Sequence, residues 1–243
     1  MKTNLYEYLA GNEYPGRGIC IGKTPDGKKS MIAYFIMGRS ANSRNRVFDP
    51  IDGGIRTKAA DPSKMTDPHL IIYNPVLTFA ETTIVTNGDQ TDTVHDFMAA
   101  NRHPGYNFEA ALATRTFEDD KPNWTPRISG VTDMRSGGYK LSILKSCDGN
   151  EGSVQRFTFD YPEPQAGEGH FISTYKCNGN PIPSFEGEPL RVSVDEADPN
   201  EWAGRLWSAL NEDNKVSLFV RAVELTTQAY EDVIINKYQA VEG

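Results

Sequence analysis

The stretch GICIGKTPDGKKSMIAYFIMG, residues 18–38, predicts the part of the fold around which the other strands are arranged. Two short apolar runs, Gly18–Thr24 and Ile32–Gly38, flank the segment PDGKK. Pro, Asp and Gly favour tight turns, and apolar runs of this length between turn residues are typical of strands. The stretch therefore predicts a β-hairpin.

Short apolar segments of strand length continue along the chain. A second pair of strands is predicted at Leu70–Phe79 and Thr82–Gly88, and Asn178–Gly187 is predicted to be a loop because it is rich in Gly and Pro. The remaining strands are predicted at PRISGVTD, GYKLSILKS, SVQRFTFDY, GHFISTYKC, VSLFVRAVEL and EDVIINKYQ.

Three helices are predicted between the strands. The first covers Thr91–Asn101, where apolar residues recur at helical spacing and either Thr91 or Asp92 is the N-cap. The second covers Asn107–Phe117 and begins at Asn107, and the third covers Asp198–Leu210 with Asp198 as its cap and Pro199 as its first residue. Since there is no repeat or low-complexity linker, we predict one α/β (α+β) domain over residues 1–243, with two or more sheets and few helices.

Composition narrows the function classes. The chain has 243 residues, 38% hydrophobic and 24% charged, with a formal net charge of −8. This balance fits a packed core, and the acidic charge argues against a general nucleic-acid partner, because phosphate affinity needs excess Lys and Arg. No apolar run approaches the roughly 20 residues of a membrane span, and the N-terminus has no signal-like apolar segment. Three cysteines without CxxC spacing predict free thiols, so we expect a cytoplasmic protein without a membrane partner.

Polar clusters that carry arginines recur between the strands of the first half of the chain. They lie at Tyr14–Lys23, Met37–Phe48, Ile84–Val94 and Phe117–Gly130. Phosphate and carboxylate groups are bound by forked guanidinium donors and by free backbone N–H groups. The clusters therefore favour a site for an anionic small molecule.

Six short motifs within these clusters and strands occur in a characteristic order. They are Gly16-Arg17, Arg39-Ser40 followed by an Asn/Arg pair, Asn74-Pro75, TNGDQTDT at Thr86–Thr93, TPRI at Thr125–Ile128 and ISTY at Ile172–Tyr175. Each motif alone is weak, but six in register are specific. Over residues 14–176 the chain resembles the archaeal-type (PurO-like) IMP cyclohydrolase family, and from about residue 178 the resemblance is loose.

The resemblance implies a four-layer αββα sandwich of the N-terminal-nucleophile hydrolase type. It also implies the activity of a cyclohydrolase, a hydrolase acting on C–N bonds in cyclic amidines. In this reaction FAICAR (5-formamidoimidazole-4-carboxamide ribotide) closes its ring to IMP and loses water, the last step of de novo purine synthesis. The expected partner is a purine nucleotide, and no cofactor is expected. We also expect a homo-oligomer, because an exposed sheet face or edge in such folds usually needs a partner.

The usual nucleophile of that fold is missing, because Tyr14-Pro15-Gly16-Arg17 occupies the start of the first strand and thirteen residues precede it. The reaction needs none: a general acid/base, an oxyanion donor and correct orientation suffice. The resemblance assigns the acid/base role to Glu118, for which a solvated helix end is the competing interpretation. Asp92 is a further catalytic candidate, with a helix cap as the alternative.

The arginine-rich turn GRSANSRNR is predicted to form a phosphate or oxyanion clamp, and solvated surface arginines are the competing interpretation. Arg44 is assigned to catalysis, and either Arg44 or Arg46 corresponds to the arginine of the family. The residues expected to bind substrate are Arg17, Arg39, Ser40, Arg46, Asn87, Gly88, Arg127 and Tyr175. Alternatives stay open for several of them: ion pairs for Arg17 and Arg127, a type I′ turn for Asn87-Gly88, and a core aromatic for Tyr175.

Three remaining features bear on the chemistry. The four histidines have no metal-ligand spacing, so no metal site is predicted. Cys20 is expected to be a buried thiol. Phe79 stands where the family is expected to have a tyrosine, so a phenol would have to come from Tyr73 or Tyr34. Two other functions remain open: a purine-nucleotide-binding protein without turnover, and an amidohydrolase of the same fold.

Overall fold

The computed structural model describes residues 2–65, 68, 71–101 and 108–240, which form two antiparallel sheets with helices on their outer faces. The predicted hairpin is confirmed and forms the middle of the first sheet, where Cys20 lies opposite Ala33. This sheet has six strands in the order β11 (Leu190–Ser193), β10 (Glu168–Ser173), β1 (Arg17–Lys23), β2 (Lys29–Met37), β12 (Lys215–Glu224) and β13 (Tyr230–Asn236).

The second sheet has seven strands in nearly sequential order. They are β3 (Val47–Ile51), β4 (Gly54–Lys58), β5 (Val76–Phe79), β6 (Thr82–Thr86), β7 (Arg127–Asp133), β8 (Tyr139–Cys147) and β9 (Asn150–Tyr161). The strand predicted at Leu70–Phe79 begins only at Val76, because Asn74-Pro75 precedes it, and Leu70 lies outside the described residues. Strands β3 and β4 were not predicted, since they contain and surround Pro, Asp and Gly residues that resemble a loop in sequence.

The helices are α1 (Leu5–Ala10), α2 (Ala41–Arg44), α3 (Gln90–Asn101), α4 (Phe108–Leu112) and α5 (Pro199–Ala209). The prediction that Thr91 or Asp92 caps α3 is wrong: the helix already begins at Gln90, and both residues lie in its first turn. The second predicted helix is confirmed only as the shorter α4, and its expected start at Asn107 lies outside the described residues. The prediction for α5 is confirmed, since Asp198 accepts from the N–H groups of Asn200 and Glu201.

Three apolar clusters separate four layers. The first lies between α1, α5 and the outer face of the first sheet, and includes Leu9 and Trp202. The second fills the space between the two sheets, around Ile19 and Ile128. The third lies between the second sheet and helices α3 and α4, and includes Met98. The order is helix, sheet, sheet, helix, which agrees with the four-layer αββα arrangement that the resemblance implied.

The C-terminal part of the chain belongs to the sandwich itself. Strand β12 pairs with β2, and its Arg221 is fully buried. The guanidinium of Arg221 donates to Asp232 on β13 over 2.7 Å and to the Thr78 hydroxyl on β5 of the second sheet over 2.7 Å. Residues beyond 178 therefore help to hold the two sheets together. Within the described ranges, no helix is long and apolar enough to cross a membrane.

Close packing in the first apolar cluster gives a test of the fold. A Cβ at Gly18 would lie 2.3 Å from Cζ of Phe35 and 2.7 Å from Cε2 of Phe171, whereas one at Gly204 in α5 would meet nothing within 4 Å. We expect Gly18→Ala to lower the free energy of unfolding by about 1–3 kcal/mol through overpacking. The matched control, Gly204→Ala, should raise it by up to about 1 kcal/mol because alanine favours the helix. Urea denaturation of both variants measures this, and equal effects would contradict the packing described.

Candidate active site

A polar cavity of about 270 Å³ opens where β1 begins, between the two sheets. Four chain segments meet there: the start of β1, the turn from β2 into α2, the loop before β7 and the segment after β10. The side chains that line it are Tyr14, Arg17, Arg39, Ser40, Asn42, Ser43, Arg46, Glu118, Asp120, Asn123, Tyr175 and Ile182. Five of the predicted substrate-binding residues and the predicted acid/base thus meet in one cavity.

An ion pair crosses the cavity from one sheet to the other. Nη2 of Arg17, the first residue of β1, donates to Oε1 of Glu118 over 2.7 Å, and the two side chains are 10% and 11% exposed. Burial alone would lower the pKa of Arg17, but Glu118 and nearby tyrosines outweigh this and hold it well above its usual value. Nε of Arg17 has no hydrogen-bond partner among the described residues. This donor is free to bind a ligand.

Arg46 is a second buried arginine, and most of its donors are unused. The residue is 6% exposed, and its Nε and Nη1 have no hydrogen-bond partner in the described part of the chain. A buried cation without partners is costly, and native proteins keep few such groups. The arrangement fits an anionic ligand that would accept from these donors.

The exposed Arg39 marks the mouth of the cavity, and two stacked, buried tyrosines lie beside it. The exposed Arg39 lies with its Cζ 5.1 Å from the centre of the Tyr14 ring and donates to the Gly179 carbonyl over 2.8 Å. Tyr14 stacks on Tyr175 with 5.8 Å between ring centres. Next to Arg39, the Ser40 hydroxyl accepts from the N–H of Ser43 and so begins α2. The mouth thus combines a cation with flat apolar surfaces.

The acidic run alternates between the cavity and the exterior. Glu118 and Asp120 line the cavity, whereas Asp119 is exposed. Asp120 accepts from the N–H of Thr125 over 2.7 Å, and the Thr125 hydroxyl lies in hydrogen-bond contact with both Asp120 and the Tyr175 hydroxyl. Burial raises the pKa of Asp120, and burial also raises the pKa of Tyr175 to about 12. The run is therefore not simply a solvated helix end.

Two predicted catalytic residues lie outside this cavity. Arg44 points away from it: Nε donates to the Gly38 carbonyl over 2.8 Å and Nη2 to Oδ1 of Asn214 over 3.1 Å. Asp92 lies in α3 and accepts from the side-chain amide of Asn74 over 2.9 Å. Between the two arginines that the sequence left open, the geometry favours Arg46 over Arg44.

Three predicted binding residues also lie elsewhere. The N–H groups of Asn87 and Gly88 donate to the Ile128 carbonyl and the Thr86 hydroxyl, each over 3.2 Å, so they do not face a ligand. The dipeptide leads from β6 into α3, so it is not a type I′ hairpin turn either. Arg127 has the alternative role of an ion pair, since its Nη1 donates to Asp89 over 2.7 Å.

Phe79 and the tyrosines occupy different layers of the molecule. Phe79 packs against His95 of α3 on the outer side of the second sheet, with 5.7 Å between ring centres. The hydroxyl groups of Tyr34 and Tyr73 are buried and lie 2.8 Å apart, and both rings lie near enough to influence Arg17 electrostatically. Burial raises the pKa of Tyr34 well above its usual value. Neither tyrosine is among the side chains that line the cavity, so a phenol that replaces a tyrosine at position 79 stays a prediction.

Sequence reasoning missed several residues of the cavity. Asp120 follows Glu118 by two positions, so the alternation of an extended segment was the signal that could have found it. Tyr14, Asn42, Ser43 and Asn123 lie within the polar clusters of the sequence, but no pattern there distinguishes them from their neighbours. Ile182 comes from a distant loop, and its N–H donates to Oδ1 of Asn123 over 3.2 Å.

Other titratable groups stand apart from this cavity. Cys20 is buried as predicted, and burial raises the pKa of its thiol. Among the described residues, no three His, Cys, Asp or Glu side chains are grouped in a way that could hold a metal ion. His69 and His103 lie outside the described residues. The polar groups that line the cavity are those of its arginines, carboxylates, hydroxyls and amides.

Comparison with known proteins shows the family of the chain. Residues 14–228 match the model of the family described as IMP cyclohydrolase-like protein. The chain belongs to this family. The matched range contains every residue that lines the cavity.

Archaeal relatives named IMP cyclohydrolase are similar to the chain over most of their length. The one from Methanopyrus kandleri is 27% identical over 162 residues, which are 67% of this chain and 75% of the relative. The one from Methanococcus aeolicus is 26% identical over 190 residues, 77% of this chain and 84% of the relative. The one from Methanocaldococcus jannaschii is 30% identical over 164 residues, 58% of this chain and 78% of the relative.

Because donors of Arg46 are unused in the protein alone, we expect replacement of Arg46 to weaken ligand binding without lowering stability. Met has a similar length without the charge, so Arg46→Met should leave the free energy of unfolding unchanged or raise it. Affinity for a purine nucleoside monophosphate should fall by about 30-fold or more, because a buried charged partner of the ligand is lost. Thermal denaturation and titration calorimetry measure the two effects.

Arg44→Met is the comparison for that experiment. Because Arg44 is bonded to Gly38 and Asn214, its loss should lower stability and leave the affinity for the nucleotide within about threefold. If Arg44→Met instead removed binding while Arg46→Met did not, the assignment of Arg46 to the ligand would be wrong.

Proposed function

We propose that this protein is an IMP cyclohydrolase, which closes the ring of FAICAR to IMP with loss of water. Family membership and relatives of that name support the proposal. The observation that carries it is the buried Arg17–Glu118 pair beside the unpartnered donors of Arg17 and Arg46. The cavity thus offers donors for an anionic substrate, a donor for the oxyanion and a proton acceptor, all of which this reaction uses.

Glu118 and Arg17 are proposed to act on the reacting atoms. The carboxamide nitrogen attacks the formyl carbon, a C–N bond forms, and the Glu118 carboxylate takes a proton from that nitrogen. The negative charge moves to the formyl oxygen, where Nε of Arg17 donates a hydrogen bond. Glu118 then returns its proton to that oxygen. When the resulting hydroxyl group takes up a second proton and departs as water, the C–O bond breaks and Glu118 accepts the N–H proton of the formamide nitrogen.

The phosphate group is proposed to lie at the turn that carries Arg39, Ser40 and Arg46. Arg39 and Arg46 come from the same turn, Arg39 at the mouth and Arg46 buried. The cavity of about 270 Å³ lies just below the common range of ligand pockets, about 300–1,000 Å³. This size suits the base inside the cavity, against Tyr175, with the phosphate towards the mouth. Arg44, Asp92, Asn87, Gly88 and Arg127 have no part in this proposal.

Direct turnover tests the function. Purified protein is added to FAICAR, the ultraviolet change on ring closure is followed, and IMP is confirmed by chromatography. We expect conversion well above the spontaneous rate, and a kcat lowered by roughly 10²–10⁴ in Glu118→Gln with IMP binding kept, because a general acid/base is lost. Asp119→Asn is the matched control, since Asp119 is the exposed neighbour in the same acidic run, and it should leave turnover unchanged. Tight IMP binding without turnover of the unmodified protein would favour a nucleotide-binding protein instead.

Three broader expectations belong to the same proposal. Residues 1–243 are proposed to act as one domain. The protein is proposed to be cytoplasmic, with no nucleic-acid partner; its three cysteines are free thiols, which fits a reducing compartment.

A homo-oligomer is also proposed. It is supported by β9, a twelve-residue edge strand on which Phe157 is 42% exposed. Light scattering that gave the mass of one chain would overturn the last point.

A further inference from the structure

We propose that Asp120, Thr125 and Tyr175 form a proton relay that delivers a proton to the oxygen atom leaving the substrate. The inference rests on the proposed function and adds residues to which the family motifs assign no proton transfer. Its basis is a continuous chain of three hydrogen-bonding groups that ends in the cavity.

The chain is built from two segments that are distant in sequence. Thr125 is fully buried, and its hydroxyl contacts Oδ2 of Asp120 on one side and the Tyr175 hydroxyl on the other. Its backbone is fixed in two places: the N–H donates to Oδ1 of Asp120 over 2.7 Å and the carbonyl accepts from the N–H of Glu118 over 2.9 Å. The three groups are therefore held in line beside Glu118.

The direction of these hydrogen bonds depends on the proton of Asp120. When Asp120 is ionised, the Thr125 hydroxyl donates to it, and the Tyr175 hydroxyl donates to Thr125. When Asp120 carries a proton, Asp120 donates to Thr125, Thr125 donates to Tyr175, and the Tyr175 hydroxyl is released to donate into the cavity. A threonine hydroxyl has one donor and can accept, so it can reverse in this way.

The relay closes the proton balance of the reaction. Two protons leave nitrogen atoms and two arrive on the departing oxygen. Tyr175 gives a proton to that oxygen as the C–O bond breaks, Thr125 gives its proton to Tyr175, and Asp120 gives its proton to Thr125. Glu118 passes the first proton, from the carboxamide nitrogen, to the formyl oxygen. It then takes the second proton, from the formamide nitrogen, and releases it to solvent, while Asp120, which is only partly buried, regains its proton from solvent. No further reactant is needed.

The surroundings of Asp120 fit a group that holds and releases a proton. Burial raises its pKa, the nearby Glu118 charge acts in the same direction, and Arg17 and the two bonds from Thr125 act against it. Tyr175 is kept in the phenol form, since burial raises its pKa to about 12. Its ring is fixed by stacking on Tyr14.

The competing interpretation is that Thr125 only shapes the loop between Glu118 and β7. Valine has the shape of threonine without the hydroxyl, whereas serine keeps the hydroxyl and loses a methyl group. We expect Thr125→Val to lower kcat about 10²-fold, the lower end for proton transfer by a side chain, with KM and IMP affinity changed less than about threefold. Thr125→Ser should keep most of the activity, which a purely structural role would not predict.

Thr132→Val is the matched control. Thr132 is a fully buried threonine near the other end of β7, and its hydroxyl has no partner among the described residues. The substitution should leave kcat unchanged. A loss of kcat as large as that of Thr125→Val would show that a buried valine in or next to β7 is itself harmful. That result would remove the support for the relay.

Tyr175→Phe tests the other end of the chain and keeps the ring that packs on Tyr14. We expect a similar loss of kcat, and the double variant Thr125→Val/Tyr175→Phe should be no slower than either single variant, because all three break the same path. Independent, multiplying losses would overturn the relay, as would full activity of Tyr175→Phe. These outcomes are distinct from failure of the function itself, which would appear as absence of FAICAR turnover in the unmodified protein.

Discussion

The buried ion pair between Arg17 and Glu118 is the interaction on which the site depends. It joins the first strand of one sheet to the loop that enters β7 of the other. Taking two charges out of water is expensive, and a buried ion pair adds little to stability compared with apolar residues. The pair is therefore better explained by chemistry than by folding. In the proposed mechanism it places a proton acceptor and a hydrogen-bond donor side by side in a cavity where solvent screening is weak.

The four-layer sandwich explains how this pair can be kept in place. The apolar cluster between the sheets holds β1 and β7 at a fixed distance, and Arg221 adds a polar connection between the sheets. The site lies at the end of the sandwich, where the strands end in turns. Most of the polar side chains of the site come from these turns and strand ends. N-terminal residues that would have to be removed to expose a nucleophile instead form α1, whose Leu5 and Leu9 are buried in the outer core. Removal of these residues would therefore also remove part of that core.

Much of the fold could be predicted from the sequence because short apolar runs, turn residues and helix caps are local signals. The hairpin of β1 and β2 and the Asp198 cap of α5 are examples. Strands β3 and β4 could not be predicted in this way, because their Pro, Asp and Gly residues resemble a loop until the neighbouring strand is known. The start of α3 was misplaced by one residue, because several residues there could act as the cap.

The site was predictable only in part. Motifs in register pointed to Arg17, Arg39, Ser40, Arg46, Glu118 and Tyr175, which do meet in the cavity. The same motifs also contain Arg44, Asn87, Gly88 and Arg127, which serve the structure around it. Sequence spacing cannot separate the two groups, because the direction of each side chain is decided by packing across the sheets. The proposed role of Asp120 and Thr125 depends on a contact between the hydroxyl groups of Thr125 and Tyr175, which lie fifty residues apart in the sequence.

The position of the nucleotide can be measured in a crystal structure of the protein with IMP. We expect the nucleotide in the cavity between the sheets, with its phosphate oxygens accepting from Nε and Nη1 of Arg46 at about 2.7–2.9 Å and its base beside Arg17, Glu118 and Tyr175. IMP bound at Arg127 and Asp89, or any position that left the buried donors of Arg46 without a partner, would contradict this expectation.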